Sequence, residues 1–206
     1  MTTIAASSQR SDILFGIAPS LPARIALGLA ATAIVAAAAH FAIPLPFTPV
    51  PLTLQPLAVL GVGLALGPVA GFLTMIAYLA EGLCGLPVFS PTGPGGLAQL
   101  LGPTGGFLMA YPLVAAIIGG LTPRLAGLGL MGKPPLRVSS FLAALLAGHL
   151  AMALLFVSGA GWFMHFTHHS LQATWIGAVA PFLPGEVIKV FVAAGVYSTL
   201  TGTRRI

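Results

Sequence analysis

Long stretches of this chain contain no charged residue. No Asp, Glu, Lys or Arg occurs from 25 to 80, from 82 to 123 or from 138 to 185. Charged residues make up 5% of the 206 residues and hydrophobic residues 57%, so polar groups cannot cover the apolar surface in water. Because a helical span needs about 20 apolar residues, we predict an all-α membrane protein with roughly six spans. Residues 1–206 are predicted to form a single integral membrane domain, with no soluble module.

Proline- and glycine-rich segments divide the apolar residues into the predicted spans. "PLPFTPVPLTLQP" follows the first span and is predicted to be a loop, because Pro removes a backbone hydrogen-bond donor. "PVFSPTGPGGLAQLLGPTG" is predicted to be a second non-helical or re-entrant-like segment. The six predicted spans are 24–43, 54–66, 69–86, 105–121, 138–157 and 184–200. They form a bundle over residues 24–200, preceded by a tail at 1–20.

The basic residues predict the orientation of this bundle. With six spans, both tails and the loops after the second and fourth spans lie on one side of the membrane. That side holds seven of the eight Lys and Arg residues: Arg10, Arg24, Arg124, Lys133, Arg137, Arg204 and Arg205. Loops rich in Lys and Arg stay in the cytoplasm, so both termini are predicted to be cytoplasmic. An odd number of spans would place the two basic tails on opposite sides.

The remaining basic residue, Lys189, lies three residues after Glu186 at the start of the last span. A helix that begins at Pro184 would place both side chains on one face near the outer surface. Burying an unpaired charge in a membrane costs about 2.5–3.5 kcal/mol, so something must compensate for it. One interpretation is a salt bridge between helices, or side chains that reach to water. The other is an outward-facing site in which Glu186 accepts and Lys189 donates hydrogen bonds to a polar ligand.

Two non-helical segments are predicted on the same outer side as this charge pair. "TPVPLTLQP" and "GLPVFSPTGPGG" expose backbone polar groups that lipid cannot satisfy, so they must pack on protein or face a watery cavity. We interpret them as a lid and a cradle. In an extended segment, Thr53 and Gln55 would point in the same direction. The alternative is a stiff connector in which Thr53 and Gln55 cap the next helix.

Several other signals do not support a function. "GLGLMGKP" at 127–134 resembles a nucleotide-binding loop, but no strand precedes it and Pro134 stands where a magnesium-binding hydroxyl is needed. If ATP is used, a partner must supply the ATPase. With three acids in the chain, no catalytic constellation can be assembled, so an enzyme is not predicted. Glu81 is open between a structural carboxylate and a second ligand contact.

The histidines offer a weak metal signal. Imidazole suits transition metals, but His165, His168 and His169 have no clustered carboxylate or thiolate, so solvated side chains and no metal site are predicted. The isolated histidines His40 and His149 are expected to be satisfied within the bundle.

Alanines recur along one face of the first span. They occur at i, i+4, i+7 and i+11: Ala26, Ala30, Ala33 and Ala37. Small residues let helix backbones approach closely in lipid, where the hydrophobic effect does not drive association. This alanine stripe could dock on the chain's own bundle or on another membrane protein.

The order and spacing of three segments resemble a known family. "IPLPFTPVPLTLQPLAVL", the stretch from "GPVAGFLTMIAYLAEGLCGLPVF" through "LLGPTGGFLMAYPL", and "PFLPGEVIK" resemble the BioY family, the biotin-specific substrate-binding (S) components of energy-coupling-factor (ECF) transporters. The resemblance covers about residues 24–200. It implies a six-helix protein of the bacterial cell (inner) membrane that captures biotin from outside. Its implied partners are a transmembrane coupling protein and two ATPase subunits, and no cofactor is implied.

The resemblance also implies which residues bind biotin. Thr53 and Gln55 match the loop that closes the family's pocket, and the family usually has aspartate where this chain has Glu186. The alanine stripe resembles the motif that docks on the coupling protein. The implied substrate-binding residues are Thr53, Gln55, Tyr78, Phe89, Gly95, Gly96, Glu186 and Lys189. The alternative function is a binding subunit for another vitamin or for a transition metal ion.

Overall fold

The fold is mostly helical, with one small β-sheet. A computed structural model describes residues 20–128 and 136–202. The predicted tail and most of the segment that resembles a nucleotide-binding loop lie outside these residues. The described elements are α1 (Leu21–His40), β1 (Ala42–Leu45), β2 (Thr48–Thr53), α2 (Gln55–Leu83), α3 (Gly96–Leu100), α4 (Gly105–Gly127), α5 (Leu136–Thr167), α6 (Leu171–Ala178) and α7 (Leu183–Gly202).

Five of these helices are long and apolar enough to cross a membrane: α1, α2, α4, α5 and α7. Large apolar side chains point outward along them. Val69 and Val157, for example, are 72% and 73% exposed. Lipid can surround such side chains, whereas water could not do so without a large free-energy cost. These features agree with the predicted multi-pass membrane protein.

Helix α2 contains both the second and third predicted spans. Its backbone leaves helical geometry at Gly67, which has φ 79° and ψ −178°, and Pro68 follows. Only glycine adopts such a conformation without strain. An ideal Cβ on Gly71 would lie 3.2 Å from the Cα of Gly63, whereas eight residues of straight helix span about 12 Å. The two halves of α2 (55–66 and 68–83) therefore fold back on each other.

Small residues allow α4 to pack closely against this reversal. An ideal Cβ on Gly119 would lie 2.5 Å from the carbonyl oxygen of Gly63, which is closer than real side chains approach. Around this contact, Val59, Leu60, Val114 and Ile118 are at most 1% exposed. The centre of the core therefore lies between α2 and α4.

The proline-rich segment after α1 is not the irregular loop that we predicted. It forms an antiparallel hairpin in which Ala42 pairs with Thr53 and Ile43 with Leu52. A two-stranded sheet has only edge strands, and an edge strand tolerates proline where no ladder hydrogen bond is required. The prediction of a loop gave too much weight to the backbone N–H donors that the prolines lack. Since α2 begins at Gln55, Thr53 and Gln55 belong to different elements, and no side chain caps the start of α2.

The fifth span is longer than predicted. Helix α5 continues past Val157 to Thr167, and α6 follows after a short turn, so most of the residues between the fifth and sixth predicted spans are helical. Ser170 caps α6 by accepting a hydrogen bond from the amide of Ala173 at 3.3 Å. Gly159 and Gly161 lie inside α5. Gly159 is buried where its Cβ would meet the ring of Phe107, so it serves close packing.

Candidate ligand-binding site

A small cavity lies where β2, α2, α4, α5 and α7 converge. It encloses about 60 Å³. Its wall is largely apolar and carries several polar side chains, which is typical of a pocket that binds and orients a ligand. The lining residues are Val50, Pro51, Thr53, Gln55, Pro56, Ser90, Gln99, Thr104, Phe107, Leu108, Tyr111, Leu155, Phe156, Phe182 and Glu186.

Glu186 is the charged residue on this wall. It lies in the first turn of α7 and is 6% exposed. Its Oε1 accepts a hydrogen bond from Lys189 Nζ, which is equally buried. Its Oε2 is buried and has no hydrogen-bond partner. A buried carboxylate oxygen without a donor costs free energy, so this atom is the position where a ligand donor would be most strongly attracted.

The salt bridge between Lys189 and Glu186 lies within α7 and does not join two helices. Neither side chain reaches to water, because both residues are 6% exposed. The geometry therefore agrees neither with a salt bridge between helices nor with side chains that reach to water. Lys189 does not line the cavity but pairs with the carboxylate that does. The hydrogen bond from its Nζ holds Oε1 of Glu186 in place.

A chain of hydrogen bonds orients Gln55, another polar residue of the cavity wall. Gln55 Nε2 donates to the hydroxyl of Tyr78 at 2.8 Å, and that hydroxyl donates to the carbonyl of Val88 at 2.7 Å. Because the Tyr78 hydrogen is used on Val88, its oxygen must accept from Gln55, and this defines which end of the amide is the donor. Gln55 Oε1 is then the acceptor that remains for a ligand. Tyr78 is fully buried behind Gln55 and does not form the cavity wall.

The loop between α2 and α3, residues 84–95, contributes Ser90 to the cavity. We call it the glycine-rich loop. Phe89 of this loop is 4% exposed and packs edge-on against Tyr78, with ring centroids 5.5 Å apart. Gly82 makes room for that ring, because a Cβ there would collide with it. Phe89 thus anchors the loop from behind.

Aromatic side chains form the apolar part of the wall. Phe107 of α4 and Phe156 of α5 meet edge to face with ring centroids 6.5 Å apart. Phe182, at the turn before α7, and Tyr111 of α4 are 5% and 4% exposed. Together they provide a surface for an apolar ring or chain between the polar groups of Gln55 and Glu186.

The predicted site residues thus fall into two groups. Thr53, Gln55 and Glu186 line the cavity, whereas Tyr78, Phe89 and Lys189 support residues that do. Gly95 and Gly96 have φ values of 74° and 57° and form the turn into α3 without reaching the wall.

Sequence reasoning missed the cavity residues of α3, α4 and α5. Gln99 carried a usable signal, because a polar side chain at the end of a glycine-rich segment in a membrane protein needs partners. Tyr111, Phe107 and Phe156 carried no such signal, since aromatic residues are common in apolar spans.

Other polar residues lie away from this cavity. Glu81 accepts a hydrogen bond from Thr32 of α1 at 2.8 Å and is not part of the cavity wall, which supports the structural interpretation of this carboxylate. Within residues 20–128 and 136–202, no three His, Cys, Asp or Glu side chains are close enough to hold a metal ion. His40 and His149 are exposed and pair with carbonyls of their own helices at 2.8 Å.

The alanine stripe is not used inside the bundle. Ala26, Ala30, Ala33 and Ala37 are all exposed, whereas α1 packs on α2 through a different face that contains Thr32 and Val35. Of the two interpretations left open by the sequence, docking on the chain's own bundle is therefore not supported by the described residues.

Comparison with known proteins identifies the family. A family model described as the BioY family matches residues 9–205. The chain belongs to the BioY family. A relative named biotin transporter BioY, from Rhodobacter capsulatus, is 35% identical over 184 residues, or 86% of this chain and 92% of that protein. Another, from Rhizobium etli, is 38% identical over 152 residues, or 74% and 78%. The resemblance inferred from the sequence motifs is confirmed.

A solved structure has the same fold. It is the S-component for biotin from an ECF-type ABC transporter, with a TM-score of 0.71 and 27% sequence identity, and the match covers 86% of this chain and 90% of that one. The BioY relatives are named as transporters and not as enzymes.

Proposed function

We propose that this chain is the biotin-binding S component of an ECF-type transporter. The observation that carries the proposal is the buried, unpartnered Oε2 of Glu186 on the wall of a largely apolar cavity. Biotin offers two ureido N–H donors, an apolar thioether ring, an apolar chain and a carboxylate. A ureido N–H would satisfy Glu186 Oε2 and remove the cost of that unpaired acceptor.

The other groups of biotin match the rest of the wall. Gln55 Oε1 and the hydroxyls of Thr53 and Ser90 provide further hydrogen bonds, and the aromatic residues of α4 and α5 provide an apolar surface. Lys189 would act through Glu186, since it pairs with that carboxylate behind the cavity wall. A pocket whose polar groups are all paired on binding can reach nanomolar affinity, or about −12 kcal/mol.

The cavity must widen to accept biotin. Ligand pockets usually enclose about 300–1,000 Å³, and this one encloses about 60 Å³. The hairpin of β1 and β2 supplies Val50, Pro51 and Thr53 to the wall and is the one β-structure that lines the cavity within the described residues. We infer that the hairpin is a lid that moves away to admit the ligand.

We further infer six spans with both termini in the cytoplasm of the cell. Support comes from the chain reversal at Gly67, which turns the two halves of α2 into two antiparallel passes. With this reversal, α1, the two halves of α2, α4, α5 and α7 give six passes, and the basic tails share one side. The lid and the ligand cavity then face outward.

We also propose that the alanine stripe docks on a transmembrane coupling protein that is associated with two ATPase subunits. The stripe is exposed and consists of small residues, so the backbone of a partner helix could approach it closely. Docking would leave the cavity wall untouched, because α1 contributes no residue to it.

Equilibrium binding to the purified protein tests the function. Isothermal titration in detergent or nanodiscs should give a nanomolar Kd for biotin and a one-to-one stoichiometry. Desthiobiotin keeps the ureido group and lacks the thioether, so it should compete with lower affinity. Ni²⁺ at millimolar concentration should not displace biotin. Biotin binding no tighter than millimolar, or displacement of biotin by Ni²⁺, would contradict the proposal.

A further inference from the structure

Gln99 is a buried polar residue with two hydrogen bonds to the glycine-rich loop. It lies in the short helix α3 and is 4% exposed. Its Oε1 accepts from the amide of Gly95 at 3.1 Å, and its Nε2 donates to the carbonyl of Ser90 at 3.2 Å. One side chain thus satisfies a donor and an acceptor of the loop backbone, and such a buried side chain is costly to replace by an apolar one.

These two hydrogen bonds hold both ends of the segment that contributes Ser90 to the cavity. Residues 90–95 contain two prolines and two glycines and no strand or helix. The amide of Gly93 donates to the carbonyl of Ser90 at 3.2 Å, so Gln99 shares that carbonyl with the turn at residues 90–93. Gly95 itself has a φ of 74°. Gln99 is thus the side chain that ties this segment to α3.

The loop has a second anchor on its other side. The carbonyl of Val88 accepts a hydrogen bond from Tyr78, which also accepts from Gln55. Tyr78 therefore holds the loop before Ser90, and Gln99 holds it at Ser90 and after it. Since Gln55, Ser90 and Gln99 all line the cavity, the position of the loop decides the spacing of polar groups that face the ligand.

We propose that Gln99 is a positioning residue that keeps the glycine-rich loop folded as a cavity wall before the ligand arrives. The inference rests on the proposed function for the choice of biotin as the probe. A ligand that requires an ordered loop binds with an affinity reduced by the fraction of protein in which the loop is ordered. Loss of this residue should therefore slow association, whereas loss of a direct ligand contact would mainly speed dissociation.

Gln99→Met tests the role with a side chain of similar length and no hydrogen bonds. We expect about a tenfold weaker Kd for biotin, with most of the loss in the association rate, measured by stopped-flow fluorescence or surface plasmon resonance. Hydrogen exchange of residues 86–94 in the ligand-free protein should become faster, and saturating biotin should restore slow exchange. Gln172→Met, at an exposed position of α6, is the matched control and should leave rates and exchange unchanged.

Two further variants keep the test decisive if Gln99→Met folds poorly. An ideal Cβ on Gly93 would lie 2.7 Å from Cδ of Gln99, and Gly93 has no positive φ, so Gly93→Ala should displace the amide without straining the exposed loop. It should slow association in the same way. Gln99→Glu keeps the acceptor for Gly95 but donates to Ser90 only when protonated. Its affinity, relative to that of the wild type at the same pH, should therefore rise as the pH is lowered from 7.5 to 5.5.

The outcomes separate this proposal from the proposed function. If the wild-type protein fails to bind biotin, the function is wrong, but faster ligand-free exchange of residues 86–94 in Gln99→Met would still support the loop-holding role. Wild-type exchange and wild-type association rates in both Gln99→Met and Gly93→Ala would overturn it. A loss confined to the dissociation rate would also overturn it, because that result indicates direct ligand contact.

Discussion

At the scale of single residues, the distribution of hydrogen bonds around Glu186 is the feature closest to function. One carboxylate oxygen is paired with Lys189 and the other has no partner, although both lie out of water. A buried ion pair of this kind is a poor source of stability, since its desolvation cost is comparable to the attraction between the charges. We propose instead that Glu186 accepts a hydrogen bond from a ligand in the cavity.

Replacing Glu186 tests this explanation. Glu186→Gln should weaken biotin binding about 10- to 100-fold, because a hydrogen bond to a charged acceptor contributes about 1.5–3 kcal/mol. Glu186→Asp should retain binding, since it keeps the charge on a shorter side chain. Isothermal titration measures both. Glu81→Gln is the matched control, because Glu81 bonds to Thr32 away from the cavity. Equal losses for Glu81→Gln and Glu186→Gln would refute a specific role of Glu186.

At the scale of elements, the reversal in α2 determines how the core is packed. Gly63 and Gly71 lie against each other on the two halves of the helix, and α4 packs over them through Gly119. Larger side chains at these positions would push the two halves of α2 apart. Gln55 lies on the first half and Tyr78 on the second, so their hydrogen bond would be disturbed.

A comparison of two glycines tests the packing of this reversal. Gly63→Ala should lower the free energy of unfolding by about 1–3 kcal/mol, because its Cβ would collide with the backbone carbonyl of Ala115. Gly61→Ala, two residues away and with no atom within 4 Å of its Cβ, should be neutral or slightly stabilising. Thermal unfolding in detergent measures both, and similar melting temperatures for the two variants would contradict this packing.

Helix α1 allows the proposed docking to be separated from ligand binding. Substituting Leu for Ala26, Ala30 and Ala33 together should abolish co-purification with a coupling protein and its ATPase subunits, because the bulkier side chains hold a partner helix away. The Kd for biotin should not change. Val157→Leu, on the exposed surface of α5, is the control for a general effect of surface bulk. Retained co-purification of the triple variant would exclude the alanine stripe as the docking surface.

At the scale of the whole molecule, the outer surface must be apolar to face lipid, whereas the cavity needs polar groups to bind a ligand. The outer faces of the helices carry large apolar side chains, and the hydrogen-bonding groups converge at one end of the bundle under the hairpin. We propose that ligand enters from the side on which the hairpin lies, and this would require a defined orientation of the chain in the membrane.

Cysteine labelling tests the proposed orientation. In a Cys84→Ser background, Pro91→Cys in the exposed glycine-rich loop should react with a membrane-impermeant maleimide on intact cells. Thr3→Cys and Thr203→Cys, near the two ends, should react only after the membrane is made permeable, because six spans put both ends inside. Labelling of one end but not the other on intact cells would require an odd number of spans.

The sequence determined the features that depend on composition and local backbone chemistry. Apolar runs without charge predicted a helical membrane protein, because lipid leaves helices as the simplest way to pair every backbone group. The position of Glu186 and Lys189 at the start of an apolar run predicted a ligand site around them, since a buried charge must be compensated. The structure places Glu186 on a cavity wall and Lys189 behind it, and the binding of a ligand there stays a prediction. Predictions from local sequence were wrong at two places. They did not predict that the proline-rich segment pairs into a hairpin, and they ended the fifth helix ten residues before Thr167.

Only the tertiary structure decided which residues surround the cavity. Gln55, Ser90 and Glu186 lie far apart in the chain and meet because α2 reverses at Gly67 and because α7 returns beside α5. Tyr78 and Lys189, which we predicted to contact the ligand, lie behind the cavity wall. Gln99 and Tyr111, which we did not predict, line the cavity. Composition and periodicity record what each segment prefers by itself. A cavity arises from close packing between segments, which depends on distances that no single segment contains.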